Sequence, residues 1–472
     1  MQMNSEQHYL VNKTFDEIAV GDSASLTRTL MPEDVKLFAI LTGDFDPAAV
    51  DPKYSQSGMF REVIAHGMWS GSLISTVLAT RFPGPGTILV DQSLHFARPV
   101  TIGDAITITV TARQKFKHNQ HIVFDCVCTN QEGLQVVRGT VEALAPSEKV
   151  SYLRQMQMPE VRIDDRTERY TQLLARVKDL EPVPTAVAHP CDHESLRGPV
   201  LAFQAGIIEP ILVGPENKIR AIAEEFSLDL SGIRIVNAAH SHDAAAIAVS
   251  LVRTGDAEAL MKGSLHTDEL MSEVVSRANG LRTNRRISHV FVMTVPTYHR
   301  PLLITDAAIN IAPTLEEKVD IIQNAIDLAH IIGIPEPKVA ILSAVETVNP
   351  KIQSTLDAAA LCKMADRGQI TGGILDGPLA FDNAVSIVAA KTKGIQSAVA
   401  GYAEILVVPD LESGNMVAKQ LEYLANALTA GIVLGTRVPI VLTSRADSAE
   451  TRTASCVIAA LIAHANRNKG SS

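Results

Sequence analysis

The chain has 472 residues, which is too long for one ordinary hydrophobic core and predicts two or three domains. Its net charge of −10 argues against nucleic acid as a main partner, and no apolar run reaches the length of a membrane span. The five cysteines lack zinc-binding spacing and the N-terminus lacks the pattern of a signal peptide, so we expect a reduced, cytoplasmic chain without a metal site.

The first segment, residues 1–150, predicts an α+β domain. A strand at 24–30 is followed by a helix that starts at Met31-Pro32 and by a longer helix that starts at His66-Gly67. Four strands follow, separated by turn residues: 88–96, 105–115, 121–129 and 134–143. One long helix followed by an antiparallel run implies a sheet wrapped on a helix.

Motifs in this segment resemble the MaoC-like group of hot-dog proteins, which includes the R-specific enoyl-CoA hydratases. They are Thr42-Gly43-Asp44 with Pro47 and Ser55, Ala65-His66-Gly67-Met68, Pro83-Gly84-Pro85-Gly86-Thr87, and Arg98-Pro99-Val100. In that family an Asp and a His act together on a catalytic water, and amides at the start of the central helix bind the thioester oxygen. The resemblance therefore implies a catalytic role for Asp44 and a substrate-binding role for Gly67.

The acid–base pair of that family is broken in this chain, because Ala49 stands at the His position and Asp46 replaces an Asn. Three interpretations stay open. His66 could substitute for the missing His, Asp44 alone could support slow hydration, or the domain has kept an acyl-CoA-shaped groove or an oligomer interface with little or no hydratase activity. We predict the third.

The rest of the chain predicts a linker and an α/β domain. Residues 151–168 are polar and charged, which indicates a linker that is partly helical after Asp164. From 169 to 472 strands and helices alternate, which predicts a mainly parallel sheet covered by helices. The predicted strands are 184–188, 207–213, 233–238, 259–261, 290–295, 302–305, 339–342, 374–376, 405–408 and 438–442.

The stretch Thr443-Ser444-Arg445 lies between the last of these strands and a helix. Asp447 and Glu450 carry the spacing of a capping box at the start of that helix, which runs to about His464. Ser444 and Arg445 therefore lie at the carboxyl end of a strand, where open α/β sheets bind ligands. A hydroxyl and a guanidinium there can hold an anion, and the alternative is a turn cap beside a surface ion pair.

Thr443-Ser444-Arg445 resembles the Ser-Arg motif of phosphate acetyltransferases and phosphate butyryltransferases. Three further stretches agree in order and spacing: 259–263 with His266-Thr267, 285–291, and 376–384. The resemblance implies two lobes, the first formed by 169–302 with 437–466 and the second by 303–436, with the reaction site in the cleft between them. The implied reaction is acyl-CoA + phosphate ⇌ acyl phosphate + CoA with a short acyl chain and no metal or redox cofactor.

The resemblance also implies roles for the loop residues. Ser444 would hydrogen-bond the reacting carbonyl or thiol, and Arg445 would hold the phosphate. Direct attack inside a ternary complex is expected, because neither Cys191 nor Cys362 has a role in that family. Most of the catalysis would then come from positioning and charge stabilisation.

Several other residues are candidate ligands of the substrates. Arg285 and Arg286, with Arg282, form the densest basic cluster of the domain, and we predict that it binds an anion rather than serving as a solvated basic loop. The remaining candidates are Lys262, His266 and Thr267 in one loop, and Asp376 in another, although His266 could instead be a helix cap and Asp376 could simply fix its loop.

The base and the acyl length stay open. The acetyltransferases carry an Asp where this chain has Thr451, so we favour the adjacent Glu450 as the base over Asp447. They also carry Asp-Gly-Glu where this chain has Asp376-Gly377-Pro378, and both departures favour the butyryltransferase branch.

We expect a homo-oligomer whose partners are acyl-CoA, CoA and inorganic phosphate, without nucleic acid or membrane. A bifunctional protein with an active hydratase domain and a non-catalytic acyl-CoA sensor or scaffold are the alternatives.

Overall fold

The computed structural model describes residues 9–44, 65–153, 166–444 and 447–470. The chain divides into two compact units, Met1–Asp164 and Asp165–Ser472. The division falls inside the segment 151–168, which the sequence predicts to be a linker. Ala49, Asp46, Pro47, Ser55 and Arg445 lie outside the described residues.

The first unit contains a five-stranded antiparallel sheet packed on a helix. Its elements are β1 (Tyr9–Val11), β2 (Ser23–Thr29), α1 (Pro32–Thr42), α2 (Gly67–Thr80), β3 (Ile88–Phe96), β4 (Ala105–Phe116), β5 (His121–Thr129), β6 (Gln135–Leu144) and β7 (Ser151–Leu153). The strand order is β2-β4-β5-β6-β3, and β1 pairs with β7. Ile106 and Ile108 of β4 alternate with threonines and pack with Leu73 and Val77 of α2, because successive strand residues face opposite sides. The predicted α+β domain is confirmed.

The second unit alternates strands and helices as predicted. The elements are α3 (Arg166–Ala175), β8 (Val183–Ala188), α4 (His193–Gln204), β9 (Ile208–Gly214), α5 (Glu216–Glu225), β10 (Arg234–Asn237), α6 (Ser241–Thr254), β11 (Ala259–Lys262), α7 (Thr267–Val274), β12 (Ser288–Thr294), β13 (Leu302–Thr305), α8 (Leu315–Ile331), β14 (Lys338–Leu342), α9 (Gln353–Asp366), β15 (Ile374–Leu379), α10 (Phe381–Val385), α11 (Ile387–Thr392), β16 (Ile405–Val407), α12 (Leu411–Leu424), β17 (Leu428–Leu434), β18 (Ile440–Val441) and α13 (Ala449–Gly470).

One sheet runs through this unit, in the order β10-β9-β8-β11-β18-β17-β12-β13-β16-β14-β15. The pairs β18–β17, β17–β12 and β12–β13 are antiparallel, and the other neighbours are parallel. Consequently β13, β16, β14 and β15 run opposite to β18, β11 and β8, and the carboxyl ends of the two sets lie at opposite edges of the sheet. Helices cover both faces: α4, α5, α8, α9 and α13 pack on one, and α6, α7, α10, α11 and α12 pack on the other.

The strand β17 was missing from the predicted set. It lies between β18 and β12, although its residues fall in the segment 303–436 assigned to the second lobe. The sheet is therefore continuous across the predicted lobe boundary. Gly431 has no side chain, which allows β17 to lie close to Leu442, the residue that follows β18. A Cβ at position 431 would lie only 2.4 Å from the carbonyl oxygen of Leu442.

Candidate active site

Ser444 lies on the loop that follows β18, as predicted. Leu442 is buried and donates its N–H to the carbonyl of Gly431, so the chain stays paired to β17 almost to the loop. Thr443 is buried and Ser444 is exposed. Ser444 is thus the first residue of the loop to face solvent.

The loop is held from below by Arg452, a residue that sequence reasoning missed. Its side chain is fully buried, and its guanidinium donates to the hydroxyl of Thr443 at 2.8 Å and to the carbonyls of Ser444 at 2.9 Å and Asp447 at 3.4 Å. Burial lowers the pKa of Arg452, and the charges of Asp192, Asp447 and Glu194 oppose that shift. A lone Arg inside an apolar helix is the sequence signal that could have found it, because a buried guanidinium requires partners.

Asp447 does not cap the helix as predicted. Its carboxylate accepts the N–H of Ser444 at 2.7 Å and the ammonium of Lys419 at 3.2 Å, and the residue is 4% exposed. The hydroxyl of Ser448 instead accepts the N–H of Thr451 at 3.3 Å, which makes Ser448 the cap of α13. The capping-box prediction for Asp447 and Glu450 is wrong, because Asp447 is needed one turn earlier to close the Ser444 turn.

Glu450 lies on the exposed side of the first turn of α13. Burial raises the pKa of Tyr170 in α3, and the charge of Glu450 adds to that shift, so this carboxylate lies near α3. The carboxylate of Asp447 contacts the Ser444 turn directly. The role of Glu450 as a base stays a prediction.

The loop with Lys262, His266 and Thr267 lies at the same sheet edge as Ser444. It follows β11, which pairs with β18 through Met261 and Val441. Lys262 is 3% exposed and donates to the carbonyls of Gly263 at 3.4 Å and Leu265 at 3.1 Å, so its ammonium supports the loop. His266 is the first residue before α7 but makes no side-chain capping hydrogen bond, and Thr267 begins the helix.

The arginine cluster lies at the other end of the β12–β17 pairing. Arg285 and Arg286 precede Ser288, which pairs with Leu434, whereas the Ser444 loop leaves the sheet beyond Leu442. Leu442 lies beside Gly431 of β17, and Ser288 lies beside Leu434 of the same strand. The stretch of β17 between these two positions is about 10 Å long. The structure therefore does not bring these arginines into contact with Ser444.

The same arginines line a cleft of about 290 Å³ that also includes Arg282, Met271 and Asn310. Two of them already have carboxylate partners: Arg285 pairs with Asp327 at 2.5 Å and Arg286 with Glu317 at 2.9 Å. The cluster is thus a concave basic surface with partly compensated charge.

Asp376 is far from Ser444. It lies in β15, the edge strand six places from β18, about 29 Å away at the usual strand spacing. Its carboxylate accepts the N–H of Gly377 at 2.9 Å, which fixes the local turn.

His289 lies in β12. It is 1% exposed, and no described residue forms a hydrogen bond with either ring nitrogen at ordinary geometry. Burial lowers its pKa to about 4, with Asp306 and Asp447 opposing the shift and Lys419 adding to it. The ring is therefore neutral at neutral pH.

The cysteines of this unit are poor nucleophiles. Burial raises the pKa of Cys191 to about 11, and it raises those of Cys362 and Cys456 to about 12. These thiols stay protonated at neutral pH, and the thiolate is the reactive form.

In the first unit, Asp44 and His66 lie close together. The Nε2 of His66 is 3.4 Å from Oδ2 of Asp44, and the Nδ1 accepts the N–H of Met68 at 3.1 Å. Because Nδ1 accepts, the proton of the neutral ring lies on Nε2, which faces the carboxylate. Phe38 stacks on the imidazole with ring centroids 5.3 Å apart.

Next to this pair, Gly67 begins α2 and lines a cleft of about 310 Å³ with His66, Ser70, Phe96 and Arg98. The structure thus places the predicted Asp44 and Gly67 next to His66. Across the described part of the chain, no helix is both long and apolar enough to cross a bilayer.

Comparisons with known proteins match both units. The family model described as phosphate acetyl/butaryl transferase matches residues 239–460, and that of the MaoC like domain matches 18–130. A phosphate acetyltransferase of Rhizobium meliloti is 64% identical over 299 residues, which are 63% of this chain and 95% of that protein. A phosphate butyryltransferase of Clostridium acetobutylicum is 45% identical over 62% of this chain and 98% of its own length.

A solved structure agrees with these matches. The branched-chain phosphotransacylase from Enterococcus faecalis V583 is 31% identical, with a TM-score of 0.52, and the alignment covers 60% of this chain and 99% of that one. The fold and these matches therefore define an acyltransferase that carries a MaoC-like domain. The chain belongs to the phosphate acetyl/butyryl transferase family, and both resemblances drawn from the sequence are confirmed.

Proposed function

We propose that the second unit transfers an acetyl group reversibly between CoA and inorganic phosphate. The observation that carries this proposal is the 64% identity to a phosphate acetyltransferase over 95% of that protein, against 45% for a phosphate butyryltransferase. The departures at Thr451 and Pro378 favoured the butyryl branch, but identity over the whole unit outweighs two positions.

The reaction balances without a redox step. An oxygen of HPO₄²⁻ attacks the thioester carbonyl carbon, the C–O bond forms, and the C–S bond breaks with its electron pair going to sulfur. The proton of the phosphate ends on that sulfur, giving acyl phosphate and the free thiol of CoA. Phosphate thus supplies the nucleophile and the proton that reaches sulfur. Glu450 is proposed as the base that carries this proton, and otherwise the protein needs chiefly to position the two substrates.

Ser444 and Arg445 are the residues proposed to act on the reacting groups. Ser444 is exposed at the end of β18, where its hydroxyl can donate to the carbonyl or thiol of the substrate. Arg445 follows it and is proposed to hold the phosphate through two parallel donors. The raised pKa values of Cys191 and Cys362 favour direct transfer over an acyl-enzyme.

The other predicted contacts are part of the same proposal. Arg285 and Arg286 would contact a phosphate-bearing part of CoA rather than the reacting carbonyl, since they lie at the other end of the β12–β17 pairing. Lys262, His266 and Thr267 would shape the rim near Ser444, Glu450 would act as base, and Asp376 would support its own turn. We further propose a cytoplasmic homo-oligomer that uses acyl-CoA, CoA and phosphate and no metal or redox cofactor.

Release of free thiol from acetyl-CoA and butyryl-CoA, with and without phosphate, tests this function. We expect phosphate-dependent release with a higher kcat/KM for acetyl-CoA. A higher value for butyryl-CoA would reassign the acyl length. Binding of acyl-CoA with no phosphate-dependent release would favour the non-catalytic sensor or scaffold.

A second candidate function for the first unit is enoyl-CoA hydration. The Asp44–His66 pair favours it, because Nε2 of the ring faces the carboxylate and could hold Asp44 to polarise a water. The loss of the His at position 49 opposes it, and the acyl-CoA-binding groove without much activity stays the first proposal.

A further inference from the structure

We propose that Lys419 is a positioning residue for the acyl transfer, acting on Ser444 through the carboxylate of Asp447. No motif pointed to Lys419, which lies in α12 within the predicted second lobe. Ser444 and Asp447 belong to the predicted first lobe. The contact thus links the two predicted lobes at the Ser444 loop.

The contacts form a short relay. The Nζ of Lys419 donates to Oδ1 of Asp447 at 3.2 Å, and Oδ2 of the same carboxylate accepts the N–H of Ser444 at 2.7 Å. The carbonyl of Ser444 in turn accepts the N–H of Asp447 at 3.2 Å. The backbone orientation of Ser444 is therefore set by the position of the Asp447 carboxylate.

Asp447 needs a cation to stay where it is. Its side chain is 3% exposed, and an ionised carboxylate at that depth is costly unless it is paired and hydrogen-bonded. Arg452 contacts the carbonyl of Asp447, whereas Lys419 contacts its carboxylate directly. Removing the ammonium would leave the carboxylate to relax toward solvent, and Ser444 would turn with it.

Lys419 is itself held by neighbouring side chains of α12. Its ammonium also contacts Glu422 at 2.7 Å and lies 5.6 Å from the ring centroid of Tyr423, and its side chain is 29% exposed. The positive charge of Lys419 also lowers the pKa of the buried His289, although burial of the imidazole is the larger cause. The ammonium therefore lies against these side chains rather than in bulk solvent.

Other cations nearby have different tasks. The ammonium of Lys262 faces the carbonyls of its own loop, and Arg452 holds the backbone of the Ser444 loop from the opposite face of the sheet. Arg285 and Arg286 lie at the far end of β12. Among the cations described here, Lys419 is thus the one that pairs with the Asp447 carboxylate in the part of the chain outside 445–446.

The test is a double-mutant cycle with Lys419→Met, Asp447→Ala and the double variant, measured at a temperature where all are folded. We expect each single change to lower kcat roughly 100-fold, as a small misplacement of reacting groups can do, with KM values within about twofold. The double variant will be no slower than the worse single one, because both changes break the same relay. Lys419→Arg, which keeps the charge, will recover most of kcat.

Lys393→Met is the matched control. Lys393 also pairs with a carboxylate of the second lobe, Glu346 at 2.9 Å, but at the sheet edge opposite Ser444. This variant will keep wild-type kcat. Near-normal kcat in Lys419→Met, or single effects that multiply in the double variant, would overturn the proposal.

The kinetic part of this test rests on the proposed function. Amide hydrogen exchange provides a second measurement that does not require the protein to be an active enzyme. The N–H of Ser444 is protected by Asp447, so Lys419→Met and Asp447→Ala will speed exchange in a peptide covering 441–448, and Lys393→Met will not. An inactive wild-type protein that shows this pattern would refute the transferase and keep the relay. An active wild-type protein whose variants show unchanged exchange would keep the transferase and refute the relay.

Discussion

The buried guanidinium of Arg452 donates a hydrogen bond of 2.9 Å to the backbone carbonyl of Ser444. The exposed residue predicted to touch the substrate is thus anchored to a residue one turn inside the following helix. Gly198 of α4 makes room for this side chain, since a Cβ there would lie 2.8 Å from the Cβ of Arg452.

Arg452→Met will destabilise the second unit and slow catalysis. The substitution leaves the carbonyl of Ser444 and the hydroxyl of Thr443 without their donor, and loss of a buried charged partner costs about 3 kcal/mol. Urea unfolding and kcat measure the two effects. Arg467→Met, on the same helix but paired with Glu258, is the control, and equal losses in both variants would contradict a special role for Arg452.

Arg445→Ala will lower kcat by orders of magnitude and weaken the dependence on phosphate. Losing a charge-assisted contact that strengthens in the transition state can cost about 3 kcal/mol. Initial rates at several phosphate concentrations measure the effect. Near-normal kcat and phosphate KM would show that the Ser444 loop is not the reaction site.

The second unit, expressed alone from Asp165, will retain acyl transfer. Its motifs all lie within the unit that the chain contacts define. Phosphate-dependent thiol release by the fragment, compared with the full chain, measures this. A folded, inactive fragment would mean that the first unit completes the site or the oligomer.

The first unit will hydrate crotonyl-CoA slowly, and Ala49→His will speed the reaction. A restored acid–base group near Asp44 contributes about 10²–10⁴-fold. Loss of the thioester absorbance measures hydration, and Asp44→Asn supplies the inactive control. Fast wild-type turnover that both Asp44→Asn and His66→Gln abolish would instead establish the Asp44–His66 pair as the active couple.

His289 will make the second unit less stable in acid. Its pKa is about 4 in the folded state and about 6.5 when unfolded, so the unfolded state binds the proton first as the pH falls. The stability it contributes is complete above about pH 6.5 and falls by about 3 kcal/mol by pH 4. Hydrogen exchange of β12 peptides in urea at several pH values, compared with His289→Leu, measures the difference. If the stability of the wild type and of His289→Leu changed with pH in the same way, the lowered pKa of His289 would be contradicted.

Local patterns in the sequence were sufficient for most of the fold. The alternation in β4 and the apolar runs of β8 and β11 carry their own signals, because burial repeats along one strand or helix. The strand β17 is also an apolar run, but neither turn chemistry nor a motif separated it from α12. Its antiparallel place between β18 and β12 depends on tertiary pairing that no local pattern encodes.

The candidate site was predicted less completely. Ser444 and the loop of Lys262 follow neighbouring strands, and that rule holds from sequence alone. The distance of Arg285 and Asp376 from Ser444 depends on strand order and direction. The contacts of Arg452, Lys419 and Asp447 with the loop depend on burial and on packing between helices, so a capping-box spacing alone misassigned Asp447.

The antiparallel strands β17 and β12 join the two predicted lobes through a continuous ladder of main-chain hydrogen bonds. This ladder resists a hinge movement of one predicted lobe against the other, because such a movement would break several of its bonds at once. Relative movement of the predicted lobes would therefore have to change the twist of the sheet, with the elastic strain spread over many bonds. We therefore expect substitutions in these central strands to act on movement between the predicted lobes rather than on a single loop.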